Sequence, residues 1–236
     1  LRELLAPFFI PQNGQMKDKL LRYLESFITP RRSELINQVL DKRTRYITVV
    51  LEDIYQPQNA SAVLRTCDCL GIQDVYIIEN RNRYKLNPDV TLGSDKWLNL
   101  IKYRQYDDNT LMAINDLRKS GYRIIATSPQ SRSQTPGEFD IHKGKAAFFF
   151  GTELNGLSDT VLKNADEFLQ IPMLGFTRSF NISVSAAIIL YSISSRIRDS
   201  AIEWQLSGGE KTALKTKWIE NSLKSGEDAL SFPEKI

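Results

Sequence analysis

Histidine is almost missing from this chain of 236 residues. The one that exists, His142, lies in a loop flanked by glycine and lysine, which excludes Ser-His-Asp catalysis and histidine-based zinc sites and marks it as an exposed loop residue. Cysteine is nearly as scarce. Cys67 and Cys69 are two apart on one predicted helix, so their side chains diverge by about 200° and neither bridge nor share a metal; reduced thiols are expected. No apolar run approaches the roughly 18 to 20 residues of a membrane span, and no charged region followed by an apolar core opens the chain. A soluble, cytoplasmic protein is therefore expected. The chain begins at Leu1, so an initiator is expected to precede it. Linkers, low-complexity tracts and repeats are lacking too, which favours one α/β core with extensions over two independent domains.

The charge is modest, at +3, and unevenly spread. Residues 1–45 hold nine Lys/Arg against five Asp/Glu, whereas residues 196–236 are balanced at seven against seven. Any basic footprint for nucleic acid thus starts at the N-terminal arm. Residues 16–40 predict one or two amphipathic helices, and residues 210–225, with Trp218, another. Between them, strand signals at 46–51 (YITVVL), 73–79, 122–128, 146–150 (AAFFF) and 168–172 alternate with helices at 59–69, 111–119 and from Ser158-Asp159. Gly121 closes the second of these helices. Several strands are apolar throughout, which predicts a mostly parallel sheet covered by helices on both faces. The expected division is a helical extension (1–45), a core (46–198) and a second helical extension (199–236).

Three clusters carry the chemistry. In the first, NASAVLRTCD (59–68), Ala60, Val63, Leu64 and Cys67 form an apolar stripe, while Ser61, Arg65 and Asp68 line another face. Asn59 is read as the helix N-cap. Arg65 is either a surface arginine paired with Asp68 or a functional cation near a strand's carboxyl end. In the second, Gly151 ends a strand and Asn155-Gly156 makes a turn. The spacing imitates a P-loop, but Leu157 stands where the lysine must be, and no GxGxxG is present, so nucleotide triphosphates and dinucleotides are not supported. The third, IPMLGFTRSFNISVSAA (171–187), joins a strand end to a glycine-centred loop and an Asn-capped helix, a setting whose backbone groups suit an adenine edge. Residues 182–193 have only Ser183, Ser185 and Ser192 as polar groups, so this helix must be buried nearly all round, under the sheet or against another subunit.

These clusters, in this order, resemble the motifs of the SPOUT RNA 2′-O-ribose methyltransferases. The resemblance extends to TPRRSE (29–34) and to the helix around Trp218, so it is nearest the tRNA (guanosine-18-2′-O)-methyltransferases. It implies a C-terminal deep trefoil knot, a homodimer, tRNA as partner and S-adenosylmethionine as methyl donor, with no metal. It further implies that Arg65, Asn59, Ser179, Asn181 and Glu153 serve catalysis. Thr127, Gly151, Ile171, Met173 and Phe180 match cofactor-binding positions, and Arg31, Arg32 and Arg43 are carried over as RNA phosphate contacts. The reaction implied is methyl transfer to the ribose 2′-OH of guanosine 18 in the D-loop. Ribosomal RNA or a wobble nucleotide as target, or an RNA-binding dimer without turnover, are the alternatives. A guanidinium, with an ordinary pKa above about 12, is an awkward base but a good fork for phosphate or a developing alkoxide, which is the role expected of Arg65. One departure stands out: Gln58 occupies a place where the family often has histidine.

Overall fold

The β-branched and aromatic runs form strands and the mixed runs between them form helices. The computed structural model describes residues 14–128, 133–152 and 154–224. In chain order these are α1 (Gly14–Glu25), α2 (Pro30–Leu40), β1 (Ile47–Glu52), α3 (Pro57–Cys69), β2 (Asp74–Ile78), the short α4 (Pro88–Thr91), a tight turn (Ser94–Trp97) and β3 (Asn99–Tyr103). There follow α5 (Asn109–Lys119), β4 (Arg123–Thr127), β5 (Ala146–Phe150), α6 (Asp159–Asn164), β6 (Glu167–Leu169), α7 (Ile182–Arg198) and α8 (Gly208–Lys224). No helix among the described residues is long and apolar enough to cross a membrane.

The six strands run in the order β3-β2-β1-β5-β4-β6, and every pairing is parallel. Alternate residues of the buried strands feed two cores. Ile47, Val49 and Leu51 of β1 join Ala60, Val63, Leu64 and Cys67 of α3 and Ala186, Ile189, Leu190 and Ile193 of α7. Val50, Ile124, Ala126 and Phe149 turn to the other face, against Ala113, Ile114 and Leu117 of α5 and Val161 of α6. Each valine, leucine, isoleucine or phenylalanine among them contributes roughly 1.5–3 kcal/mol on full burial. The three-layer α/β fold is the one expected. β1 and β5 are neighbours at the point where the chain turns to opposite sides of the sheet, and their carboxyl ends open the crevice in which such folds bind ligands.

Three local features differ from expectation. β3 was not expected, because NLIKY at a sheet edge is half exposed and lacks the apolar density of its neighbours. β6 stops at Leu169, short of the expected 172: Pro172 has no N–H to give a ladder, and the chain leaves the sheet. Helix α3 starts at Pro57 rather than after Asn59, since proline's fixed φ suits the first helical position, so Asn59 sits inside the first turn. Within this chain α7 is buried on one side only, for Val184, Ile188 and Tyr191 are 42, 38 and 66% exposed along one stripe.

The described residues before Thr44 and after Trp204 form a separate helical unit. Thr29 caps α2 by accepting from the Arg32 N–H at 3.2 Å, with Pro30 in the first turn. Inside this unit α8 packs on α1 and α2. Lys211 meets Asp41 at 2.8 Å, Lys215 pairs with Glu25, and Arg32 Nη2 donates to Ser222 Oγ at 3.3 Å. Trp218 is buried beneath the Arg43 guanidinium, which lies 5.1 Å from the ring centroid.

Candidate active site

Helix α3 leaves the carboxyl end of β1 with its apolar stripe against the sheet, and this orientation decides where its polar residues go. Asn59 is drawn into the interior, 7% exposed, where its Nδ2 donates to Gln56 Oε1 at 3.0 Å. Its Oδ1 accepts from Asn181 Nδ2 at 3.1 Å, across 122 residues of sequence. Asn181 in turn caps α7: its Oδ1 accepts from the Ser183 N–H at 2.9 Å and from Ser183 Oγ at 2.6 Å. Such a cap is worth about 1 kcal/mol, so one side chain both starts a helix and ties the first cluster to the third. Arg65, further along α3, is exposed and has no hydrogen bond or ion pair among the described residues. The pairing with Asp68, one of the two readings of this residue, is not formed.

The loop between β6 and α7 walls a cavity of about 520 Å³, a size suited to a nucleoside-bearing ligand. Its lining includes Thr127 and Ser128 at the end of β4, Leu169, Ile171, Met173, Ser179 and Phe180. Thr127 Oγ1 is committed to the Phe149 carbonyl at 2.6 Å, which leaves the floor largely apolar with backbone groups at the rim. Four of the five residues matched to cofactor binding, Thr127, Ile171, Met173 and Phe180, thus share one cavity with Ser179. Gly151 is not on its lining. A Cβ there would stand 2.2 Å from the Gly156 carbonyl and 2.4 Å from the Leu157 nitrogen, so glycine is required for the loop to fold back on itself. Thr152 and Gly156 exchange both backbone hydrogen bonds at 2.9 Å, and Ser158 caps α6. Leu157, at the P-loop lysine's place, is buried in the α5–α6 core.

Two acidic residues at the end of β1, Glu52 and Asp53, were missed by the sequence reading, although an acid pair ending an apolar strand was the signal. Glu52 is 2% exposed and accepts from Thr110 Oγ1 at 2.6 Å, Ser158 Oγ at 2.7 Å and the Ser158 N–H at 2.8 Å, clamping the second cluster to β1. Asp53 takes a positive φ of 53°, and its Oδ1 accepts from the N–H groups of Asn80, Arg81 and Asn82 at 2.7, 2.8 and 3.3 Å. Ser61, expected beside Arg65 on a polar face, is instead fully buried, because the β2–β3 connection folds over it and donates the Asn87 N–H to its Oγ at 3.0 Å. Tyr84 of that connection also lies against Ser61; burial pushes its phenol above the ordinary tyrosine range, with the Ser61 hydroxyl opposing.

Of the matched RNA contacts, Arg31 is exposed at the start of α2 and Arg32 is half-buried. Arg43 is a correction. At 2% exposure and stacked on Trp218 it is part of the interior of the helical unit, because its aliphatic stem and flat guanidinium cover the indole, and it presents no fork to a phosphate. Gln58 is exposed in the first turn of α3. Glu153 lies outside the described residues.

Residues 46–191 match the model of the SpoU rRNA methylase family. A protein of Borreliella burgdorferi named tRNA (guanosine(18)-2'-O)-methyltransferase is 47% identical over 207 residues, 88% of this chain and 93% of its own length. Among solved structures, the TrmH/SpoU tRNA modifying enzyme of Aquifex aeolicus superposes with a TM-score of 0.73 at 28% identity, covering 85% of this chain and 98% of that one. The SpoU methyltransferase AviRb of Streptomyces viridochromogenes, in complex with the cofactor AdoMet, shares the fold with a TM-score of 0.57 at 19% identity over 69% of this chain and 65% of its own.

Proposed function

Because this chain belongs to the SpoU rRNA methylase family, we propose that it transfers a methyl group from S-adenosylmethionine to the ribose 2′-oxygen of guanosine 18 in the D-loop of tRNA. The observation that carries this is the Asn59–Asn181 hydrogen bond, which joins the helix of Arg65 to the loop walling the cavity. The name and 47% identity of the Borreliella relative support the substrate. When bound, the cofactor supplies an electrophilic sulfonium methyl group. Thr127, Ile171, Met173 and Phe180 are the residues to hold it, in a cavity of fitting size and apolar character. Gly151 serves that site by letting the neighbouring loop close.

The chain's own task is to place a 2′-hydroxyl in line and to tolerate charge on its oxygen as the proton leaves. Arg65 has its fork available for a phosphate beside the target ribose and for that oxygen; removing donors of this kind costs about 10²- to 10³-fold in turnover. Asn59 and Asn181 hold one another, and Ser179, two residues before Asn181, stands on the cavity wall. Gln58 carries an amide, which takes no proton, so Arg65 acts without a histidine beside it in this motif. Arg31 and Arg32, and the helical extensions that bear on them, are assigned to tRNA phosphates. The exposed stripe Val184, Ile188 and Tyr191 on α7 supports a homodimer. The trefoil knot and a cytoplasmic setting belong to the same proposal.

Transfer of labelled methyl groups to unmodified tRNA, with nuclease mapping of the modified ribose, tests it. Label on guanosine 18 is expected; label on a base, or outside the D-loop, overturns the assignment. Arg65→Ala and Arg65→Lys are both expected to lose most turnover, and a lysine that restores near-normal rate would remove the need for a bidentate fork.

A further inference from the structure

Residues 80–87 (NRNRYKLN), between β2 and α4, carry Arg81, Arg83 and Lys85 and no acid, so this one loop holds as much positive charge as the entire chain holds net. All three side chains are exposed, and none makes an ion pair among the described residues. A loop of like charges is ordinarily a solvated, mobile segment, but this one is pinned along its length by other residues. Asp53 Oδ1 takes three successive N–H groups at its start, and the Asp53 carbonyl accepts from Asn82 Nδ2 at 2.8 Å. Asn80 Nδ2 donates to Thr110 Oγ1 at 2.8 Å, and Glu79 Oε1 accepts the Tyr84 N–H at 2.7 Å. The Tyr84 ring packs on the core beneath Lys102, and the Asn87 N–H binds Ser61. These anchors hold the backbone and leave the cations unspent.

The anchor at Ser61 fixes where those charges are. Ser61 precedes Arg65 by one turn of α3 and lies on the same side of the helix. The Tyr84–Asn87 end of the pinned loop therefore lies against α3 at Ser61, one turn before Arg65. Arg81 borders a second cavity, lined also by Asp107, Asp108 and Asp159, so its charge is offset locally. Arg83 and Lys85 are not on that lining. Two exposed cations on a pinned backbone, outside any ion pair among the described residues, one a planar fork and one a point charge, suit an anion with repeated phosphates. We infer that Arg83 and Lys85 are phosphate-contacting residues for the RNA segment that Arg65 engages, set in place by Asp53 and Ser61. This rests on the proposed tRNA methyltransferase function and adds a contact surface within the core to the one proposed on the helical extensions.

The test is binding of unmodified tRNA by fluorescence anisotropy between about 50 and 200 mM salt, where each lost phosphate contact flattens the log–log slope by roughly 0.7 to 0.9. The R83E/K85E variant is expected to bind tRNA ten- to a hundredfold more weakly than wild type, with a slope shallower by about 1 to 2, while S-adenosylmethionine affinity is retained, which also reports an intact fold. K119E/K163E makes the same change of net charge on α5 and α6, over the other core, and is expected to bind within threefold of wild type. An R83E/K85E variant with unchanged affinity and slope, or a K119E/K163E variant equally weakened, overturns the inference while wild-type methylation of tRNA keeps the functional reading intact. A wild-type chain that leaves tRNA unmodified overturns both.

Discussion

A single methyl group added at Gly151 is expected to disable the loop that follows β5. The Cβ of Gly151→Ala would start 2.2 Å from the Gly156 carbonyl, and an ordinary contact begins near 3.4 Å, so the facing backbone must retreat by about 1.2 Å. The retreat is opposed by the two Thr152–Gly156 hydrogen bonds and by the Glu52 clamp on Ser158. Losing the two backbone bonds costs about 1 kcal/mol each, with residual crowding adding to that, for a total of about 2–3 kcal/mol. In a domain of this size that lowers the melting temperature by about 4–12 °C. On the proposal that Gly151 serves the methyl-transfer site, displacement of the loop by about 1 Å is expected to lower turnover by up to roughly 100-fold. Thermal denaturation and methyl transfer at saturating tRNA measure the two effects separately. Gly137→Ala is the control, since its Cβ meets nothing nearer than Thr135 Oγ1 at 3.9 Å. A Gly151→Ala variant that melts within about 2 °C of wild type and turns over normally would refute the close approach on which the reasoning depends.

Asn181→Ser should keep most of the α7 cap yet break the amide pair with Asn59, so turnover falls while stability changes little; Asn181→Ala should lose both, with about 1 kcal/mol of stability. Chemical denaturation beside the methyl-transfer assay decides this, and equal turnover in the serine variant and wild type would remove the pair from the mechanism. Glu52→Gln replaces an acceptor with a donor where Thr110 and Ser158 present three donors, and a loss of about 1–3 kcal/mol in denaturant unfolding is expected, against none if the clamp is incidental. Burial raises the phenols of Tyr84 and Tyr103, the latter also through its hydrogen bond to Asp116, while an unfolded tyrosine ionises near 10. Above about pH 10 the folded state then holds protons that the unfolded state has released, so stability falls as pH rises. Unfolding midpoints at about pH 9 and about pH 11 should diverge less in Y84F/Y103F than in wild type, and an equal divergence would contradict the raised phenols.

Much of the fold was legible because it rests on local periodicity. The stripe Ala60, Val63, Leu64 and Cys67 reads at helical spacing and is buried as read, and the caps at Ser158 and Asn181 stand where their residue types place them. Gly121, at φ 81°, closes α5 as a C′ glycine should. Misreadings arose where a residue type serves two environments. Asn59 is a good cap residue, but Pro57 had already begun the helix. Ser61 is polar, yet it is buried once a neighbouring loop supplies the Asn87 N–H. Arg43 belongs to a basic run, but its stem and flat head fill space over Trp218.

The candidate site divides along the same line. The sequence alone settled a parallel α/β core, three motif clusters in family order, glutamine rather than histidine at position 58 and the position of Arg65 on a helix after β1, since each follows from residue type and spacing. Only the tertiary structure decided that Asn59 meets Asn181 across 122 residues, that Glu52 holds Ser158 across 106, and that Ser61 and Asp53 pin a basic loop beside the helix of Arg65. The physical reason is that a hydrogen bond's partner, unlike a helix's period, is chosen by whichever distant segment the packing of the cores brings within about 3 Å.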